Sequence, residues 1–132
     1  MPPFVVYGPK SLYHVRIVLM TFEALGLEYT LKDVDLRAGK HKMPEYLDTN
    51  PQGTVPTLVD GDFKMSESRA IATYLISAYA KDDKLYSRDG KTRTMVLQRL
   101  CYETSTFIIL LFPQRGSNIC GRIVFSTKAQ QV

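Results

Sequence analysis

Between Asn50 and Ile71 the chain reads Asn-Pro-Gln-Gly-Thr-Val-Pro-Thr-Leu-Val-Asp-Gly-Asp-Phe-Lys-Met-Ser-Glu-Ser-Arg-Ala-Ile, and no other stretch restricts its fold as much. The opening residues form a turn. Val55-Pro56 then bends the backbone, because proline fixes its own φ and restricts the residue before it. Thr57–Val59 and Phe63–Met65 flank Asp60-Gly61-Asp62, a strong hairpin signal. A helix follows from about Glu67 to Ala80, opening on Ser66-Glu67-Ser68, with Ile71, Tyr74, Leu75 and Ala78 on one face. The bend offers an outward-facing peptide edge, and a helix start offers unpaired N–H groups that favour an anion. Together they suit a small, acidic, extended peptide.

Upstream, Phe4–Tyr7 is short, apolar and ended by Gly8-Pro9, which predicts a buried strand. Val15, Val18, Leu19, Phe22 and Leu25 recur at helical spacing, with Gly26 as the stop. Glu28–Val34 alternates as a second strand, so the first 34 residues predict a parallel βαβ unit. Arg37–Met43 predicts a polar loop, and Pro44 opens a short helix to Leu47. The order βαβαββα implies an α/β layered domain with a mixed sheet and helices on both faces.

Lys81–Arg88 is charged and turn-rich and marks a boundary. Beyond it Leu97, Leu100, Cys101, Thr104, Ile108 and Leu111 form a helical stripe ending at Phe112-Pro113. Such a stripe must be covered, either by the first domain or by a second, largely absent one. The tail from Gln114 lacks clear periodicity, although Ile119–Ser126 could form a strand.

Bulk properties exclude several classes. With 132 residues the chain can bury roughly two-thirds of its unfolded surface without metals or disulfides. Cys101 and Cys120 lack zinc-ligand or dithiol spacing, so no metal is expected. The net charge of +4 is scattered, without the basic and aromatic interleaving of a nucleic-acid face. No apolar run approaches the ~18 residues of a membrane span, and the N-terminus lacks a secretory signal. These features predict a cytoplasmic protein with neither nucleic acid nor membrane as partner.

Several blocks in order and spacing resemble the thioredoxin-like N-terminal domain of cytosolic glutathione transferases, most closely the delta and epsilon classes. They are Ala24-Leu25-Gly26-Leu27-Glu28-Tyr29, Val34-Asp35-Leu36, Asn50-Pro51-Gln52, Val55-Pro56-Thr57-Leu58-Val59-Asp60 and Glu67-Ser68-Arg69-Ala70-Ile71, with Tyr74-Leu75, Lys81-Asp82-Asp83, Leu85-Tyr86 and Gln98-Arg99-Leu100 beyond. The resemblance implies a glutathione-binding domain over residues 1–81, a linker over 82–88, and the first helix of an all-α domain over 89–114. That second domain reads as truncated, with a divergent tail over 115–132. It also implies a homodimer that conjugates the glutathione thiolate to small hydrophobic electrophiles without a further cofactor. Val55 would pair its backbone with the cysteinyl unit, and Pro56 would be cis. Glu67 and Ser68, with Arg69 beside them, would hold the γ-glutamyl end, and His41 would face the glycyl carboxylate. Each also has an ordinary reading: Ser66 and Ser68 as caps, Glu67 as a first-turn acid, Pro56 as a turn proline, His41 as a surface side chain.

The sequence departs from that pattern at two places. The serine that hydrogen-bonds the glutathione sulfur falls at Leu12, leaving Ser11 or Tyr13 as the nearest hydroxyls, unless Ser11 is only a helix cap. The histidine after Asn-Pro-Gln is Gly53. A free thiol of pKa about 8.5 is only a few per cent ionised at neutral pH. A hydrogen bond to a charged group contributes about 1.5–3 kcal/mol, or one to two pKa units. Losing that bond leaves roughly a tenth of the thiolate, so weak activity is expected. A non-catalytic binder of glutathione or hydrophobic ligands is the main alternative. A third reading is an interaction protein that dimerises through the 97–111 stripe. A dithiol oxidoreductase is disfavoured because Leu12–Val15 carries no cysteine.

Overall fold

The computed structural model describes residues 4–107. The chain divides into two units, Met1–Ser87 and Arg88–Val132. The first contains β1 (Phe4–Tyr7), α1 (Tyr13–Leu25), β2 (Tyr29–Lys32), a 3-10 turn (Lys40–Lys42), α2 (Pro44–Leu47), β3 (Thr57–Asp60), β4 (Phe63–Ser66) and α3 (Ser68–Tyr79). The four strands lie in the order β2-β1-β3-β4. β1 and β2 are parallel, whereas β3 runs antiparallel to both β1 and β4. This is the βαβαββα order expected from the pattern, in the thioredoxin-like arrangement that the resemblance implies.

Helical spacing on α1 places Val15, Val18, Leu19 and Phe22 on one buried stripe. Ile71 and Leu75 do the same on α3. These residues join Phe4, Val6 and Leu58 from the sheet in one core. Strand alternation turns Tyr7 to the opposite face, where its ring meets Tyr46 of α2 edge-on at 5.9 Å. The sheet is therefore covered on both faces. A second tie joins β3 to α3: Tyr74 donates a 2.7 Å hydrogen bond to Asp60 Oδ2, and the Tyr79 hydroxyl donates to the same oxygen. Those bonds to Asp60 hold both phenols above their ordinary pKa range.

Some boundaries differ from expectation. β2 spans Tyr29–Lys32 and not Glu28–Val34, because β1 offers partners only from Phe4 to Tyr7. The expected loop over 37–43 contains the 3-10 turn, started by Gly39 at φ 69° and by the Asp35 carboxylate, which accepts from the amides of Arg37 and Ala38. α3 begins at Ser68, later than the expected start at Ser66 or Glu67, because Ser66 still pairs with Thr57 in the sheet.

In the second unit α4 (Gly90–Tyr102) is capped by Asp89, whose carboxylate accepts from the Thr92 amide at 2.8 Å. It leads into a π-helical turn, Glu103–Phe107. The Thr104 and Ser105 hydroxyls there donate back to the Leu100 and Cys101 carbonyls, a habit that loosens helices. No residue of α4 is buried, and Leu97 is 47% exposed. Ile108, Leu111 and the suggested strand over 119–126 lie outside the described residues.

Candidate functional site

Register decides where the site assembles. Tyr7 pairs with Lys32 on one side and Thr57 on the other, and Thr57 pairs with Ser66. Lys32, Tyr7, Thr57 and Ser66 therefore form one row at a single end of the sheet. Three of the segments expected to form the site leave or enter the sheet at that row. The loop to α1 follows Tyr7, the Val55-Pro56 bend precedes Thr57, and Glu67-Ser68 follows Ser66.

The starts of α1 and α3 meet through Arg69. Its Nη1 lies 2.8 Å from His14 Nδ1 and donates to Ser68 Oγ at 2.8 Å, and its guanidinium lies 5.6 Å from the centre of the Tyr13 ring. Ser68 is buried, with 3% exposure. Glu67 is exposed and sits at φ 72°, the one positive φ among the described non-glycine residues. A side chain in that region costs on the order of 1–3 kcal/mol. Although Glu67 holds the cap position of α3, its side chain makes no capping hydrogen bond.

The Val55-Pro56 peptide is cis, and Pro56 is buried. Among the described residues the Val55 amide and carbonyl have no hydrogen-bond partner. Gly8 is packed behind this bend: a Cβ there would come within 3.3 Å of Val55 Cβ and 2.6 Å of Val15 Cγ2. At φ 144° and in that space only glycine fits.

Leu12 is the cap residue of α1, with no side-chain capping bond, and it packs half-buried against the core. The reading of Ser11 as the cap is thereby corrected, since Ser11 is exposed and lies one residue earlier. Ser11 and Leu12 line a cleft of about 380 Å³ together with Pro9 and residues 33–37.

His41 lies in the 3-10 turn, against the Asn50–Thr54 loop. Its Nδ1 is shielded from solvent and lacks a hydrogen-bond partner among the described residues. Gly53 is buried at φ 59°. A Cβ on Gly53 would stand 2.8 Å from the His41 carbonyl oxygen and 2.8 Å from Lys42 Nζ. Lys42 Nζ donates to the Gln52 carbonyl at 3.2 Å, so the lysine lies across Gly53.

Sequence reasoning missed the network that fixes this loop. Buried Asn50 donates to the Thr54 carbonyl at 2.9 Å and to Thr57 Oγ1 at 3.0 Å, and accepts from the Gln52 amide at 3.1 Å. The Tyr46 hydroxyl donates to the Thr54 carbonyl at 2.6 Å and lies 2.8 Å from Thr57 Oγ1. Burial raises the Tyr46 pKa above the ordinary phenol value. The Asn-Pro pair was the available signal, because asparagine side chains commonly hold a turn two residues on.

The profile of the glutathione S-transferase N-terminal domain matches residues 4–77. The chain belongs to the glutathione S-transferase family. A glutathione transferase homologue from Drosophila mojavensis, solved with bound glutathione, is 42% identical with a TM-score of 0.77 over 80% of this chain and 48% of its own. A delta-class glutathione transferase from Nilaparvata lugens is 44% identical, with a TM-score of 0.76 over 79% of this chain and 49% of its own. An epsilon-class glutathione S-transferase from the housefly, Musca domestica, is 40% identical, with a TM-score of 0.77 over 94% of this chain and 55% of its own. The chain thus spans about half the length of the solved glutathione transferases it matches.

Among the described residues no helix is long and apolar enough to cross a membrane. No cluster of histidine, cysteine and acidic side chains placed to hold a metal occurs among them. Against the family pattern, the glycine at 53 has a local physical reason: the backbone conformation and the His41 carbonyl leave no room for a side chain.

Proposed function

We propose that this chain binds glutathione at the row end of the sheet and presents its thiol to small hydrophobic electrophiles, as a weak glutathione transferase. The observation that carries this reading is Glu67, held at φ 72° with its carboxylate uncommitted to capping. A strained residue that does not serve its own helix is accounted for by a ligand it receives. Glu67 takes the γ-glutamyl amine, while Ser68 and the first-turn amides of α3 take the γ-glutamyl carboxylate. Arg69 keeps Ser68 and the start of α1 in place. The unpaired Val55 amide and carbonyl take the cysteinyl backbone, with Pro56 setting the bend. His41 and its neighbours face the glycyl carboxylate.

Ser11 and Tyr13 are the hydroxyls nearest the expected thiol position, and neither stands at the family's serine position. The protein's part is to position the thiol and stabilise its charge, not to supply a nucleophile of its own. No cofactor besides the co-substrate is invoked. The reading extends to a cytoplasmic homodimer with a detoxifying role, residues 1–81 forming the glutathione domain and 89–114 beginning the helical one. Titration calorimetry with glutathione tests it, and absence of any binding at millimolar ligand would sink it.

One observation favours a second reading, a glutathione-binding module without turnover. Leu12 offers no hydrogen to a thiolate, and its side chain is turned into the core. That reading predicts binding with no glutathione-dependent conjugation of an aryl halide.

A further inference from the structure

We infer that Tyr46 is a positioning residue for the ligand's cysteinyl unit, its hydroxyl gripping the chain on both sides of the Val55-Pro56 bend. This rests on the glutathione reading of the site. The Tyr46 hydroxyl donates to the Thr54 carbonyl at 2.6 Å and lies 2.8 Å from Thr57 Oγ1. Residues 54 and 57 are the immediate neighbours of Val55 and Pro56. A phenol has one hydrogen to donate. Burial holds the Tyr46 pKa above the ordinary phenol value, so that hydrogen stays in place at neutral pH. Because it goes to Thr54, the Thr57 hydroxyl donates to the Tyr46 oxygen, which is nearer than the Thr54 carbonyl at 3.3 Å. Thr57 Oγ1 in turn accepts from Asn50 Nδ2 at 3.0 Å. The hydrogens therefore run in one direction, from Asn50 through Thr57 and Tyr46 to the Thr54 carbonyl.

Both sides of this grip are anchored. Tyr46 is buried on α2, with its ring edge-on to Tyr7 of β1 at 5.9 Å. Thr57 is the first residue of β3 and pairs with Tyr7. Asn50 donates to the Thr54 carbonyl at 2.9 Å and so shapes the loop from within it. Tyr46 adds what Asn50 cannot, a tie from that loop to a helix packed on the sheet. Val55 stands between these fixed neighbours, and its own amide and carbonyl have no partner among the described residues. Both groups are left for the backbone of an extended peptide. Holding that edge in place before binding removes an ordering cost that would otherwise weaken the complex.

The test measures two ligands by calorimetry: glutathione, and its depsipeptide, in which an ester oxygen replaces the cysteinyl N–H and cannot donate to the Val55 carbonyl. The wild type should prefer glutathione about fivefold, the effect of one neutral hydrogen bond. Tyr46→Phe removes only the hydroxyl. It should stay folded, because the Thr54 carbonyl and the Thr57 hydroxyl both keep Asn50 as a partner. Its preference should shrink below about twofold, through weaker binding of glutathione and not of the depsipeptide. Thr57→Val, which breaks the link on the other side, should shrink it likewise, whereas Thr57→Ser keeps the hydroxyl and should keep the preference. An unchanged preference in folded Tyr46→Phe overturns the role of Tyr46. An equal loss for both ligands overturns it too, because it marks a general weakening of the fold. A wild type that binds both ligands equally leaves Val55 outside the site, and overturns the positioning role with glutathione binding intact. Failure of the wild type to bind either ligand overturns the glutathione reading and the tyrosine's role with it.

Discussion

A serine at position 12 separates a competent scaffold from a passive binder. Leu12 already occupies the cap position of α1 with extended backbone, φ −79° and ψ 128°, and provides no capping bond. Leu12→Ser loses part of the packing against the core. For a half-buried leucine that is about 1 kcal/mol, half of the ~1.5–3 kcal/mol for full burial. The new hydroxyl can accept from the Val15 amide at the third position of the helix, a cap contribution of about 1 kcal/mol. The two effects nearly cancel, so the thermal midpoint should move by no more than a few degrees. The same hydroxyl has one hydrogen to donate, and a bound thiolate is the acceptor. At about 1.5–3 kcal/mol for a bond to a charged acceptor, the thiol pKa falls one to two units from ~8.5.

The rate of aryl-halide conjugation should therefore rise about tenfold near neutral pH. The gain should shrink toward unity above about pH 9, where the thiolate forms without help. Stopped-flow rates for both proteins across pH 6 to 10, beside their melting curves, provide the measurement. Two results would refute the reasoning: a folded variant with an unchanged neutral rate, or a gain as large at pH 9.5 as at pH 7. The first places the thiol elsewhere, and the second makes the effect one of geometry and not of ionisation.

Other changes follow from the same geometry. Gly53→His, which restores the family's residue type, should weaken the fold by at least ~2 kcal/mol, because a left-handed backbone and a 2.8 Å approach to the His41 carbonyl oppose any Cβ. Gly53→Ala should cost about as much, and an alanine variant of wild-type stability in urea would contradict the packing argument. Asn50→Ala removes buried bonds to Thr54, Thr57 and Gln52. It should destabilise by roughly 2–3 kcal/mol and reduce glutathione affinity together, read by denaturant midpoint and calorimetry. Tyr74 and Tyr79 have folded-state pKa values raised by Asp60. Their contribution is fully present below the unfolded value of about 10 and is lost as pH climbs through the raised ones. Denaturant midpoints should therefore fall above pH 10, and Asp60→Asn should lower the midpoint at pH 8 while flattening that fall.

The sequence by itself determined the element order, the buried stripes and the turn chemistry. Those properties are local: 3.6-residue spacing on Val15, Val18, Leu19 and Phe22 encodes a face, and Asp60-Gly61-Asp62 encodes a reversal. The segments of the proposed site were legible too, because Val55-Pro56 and the Ser66–Arg69 opening are contiguous signals. Tertiary structure decided where these signals converge. The contact between Arg69 and His14 joins residues 55 positions apart in the chain. It exists because α1 and α3 pack over one sheet face, and because the pairing of Tyr7 with Thr57 and Thr57 with Ser66 aligns the loop ends. No periodicity announces that Glu67 adopts a positive φ, since its conformation follows from Ser66 staying in the sheet while α3 must start at Ser68. Nor does any local pattern place Lys42 over Gly53. That depends on two loops meeting across the end of the sheet, and short-range patterns fix which face a residue shows but not which distant backbone it meets.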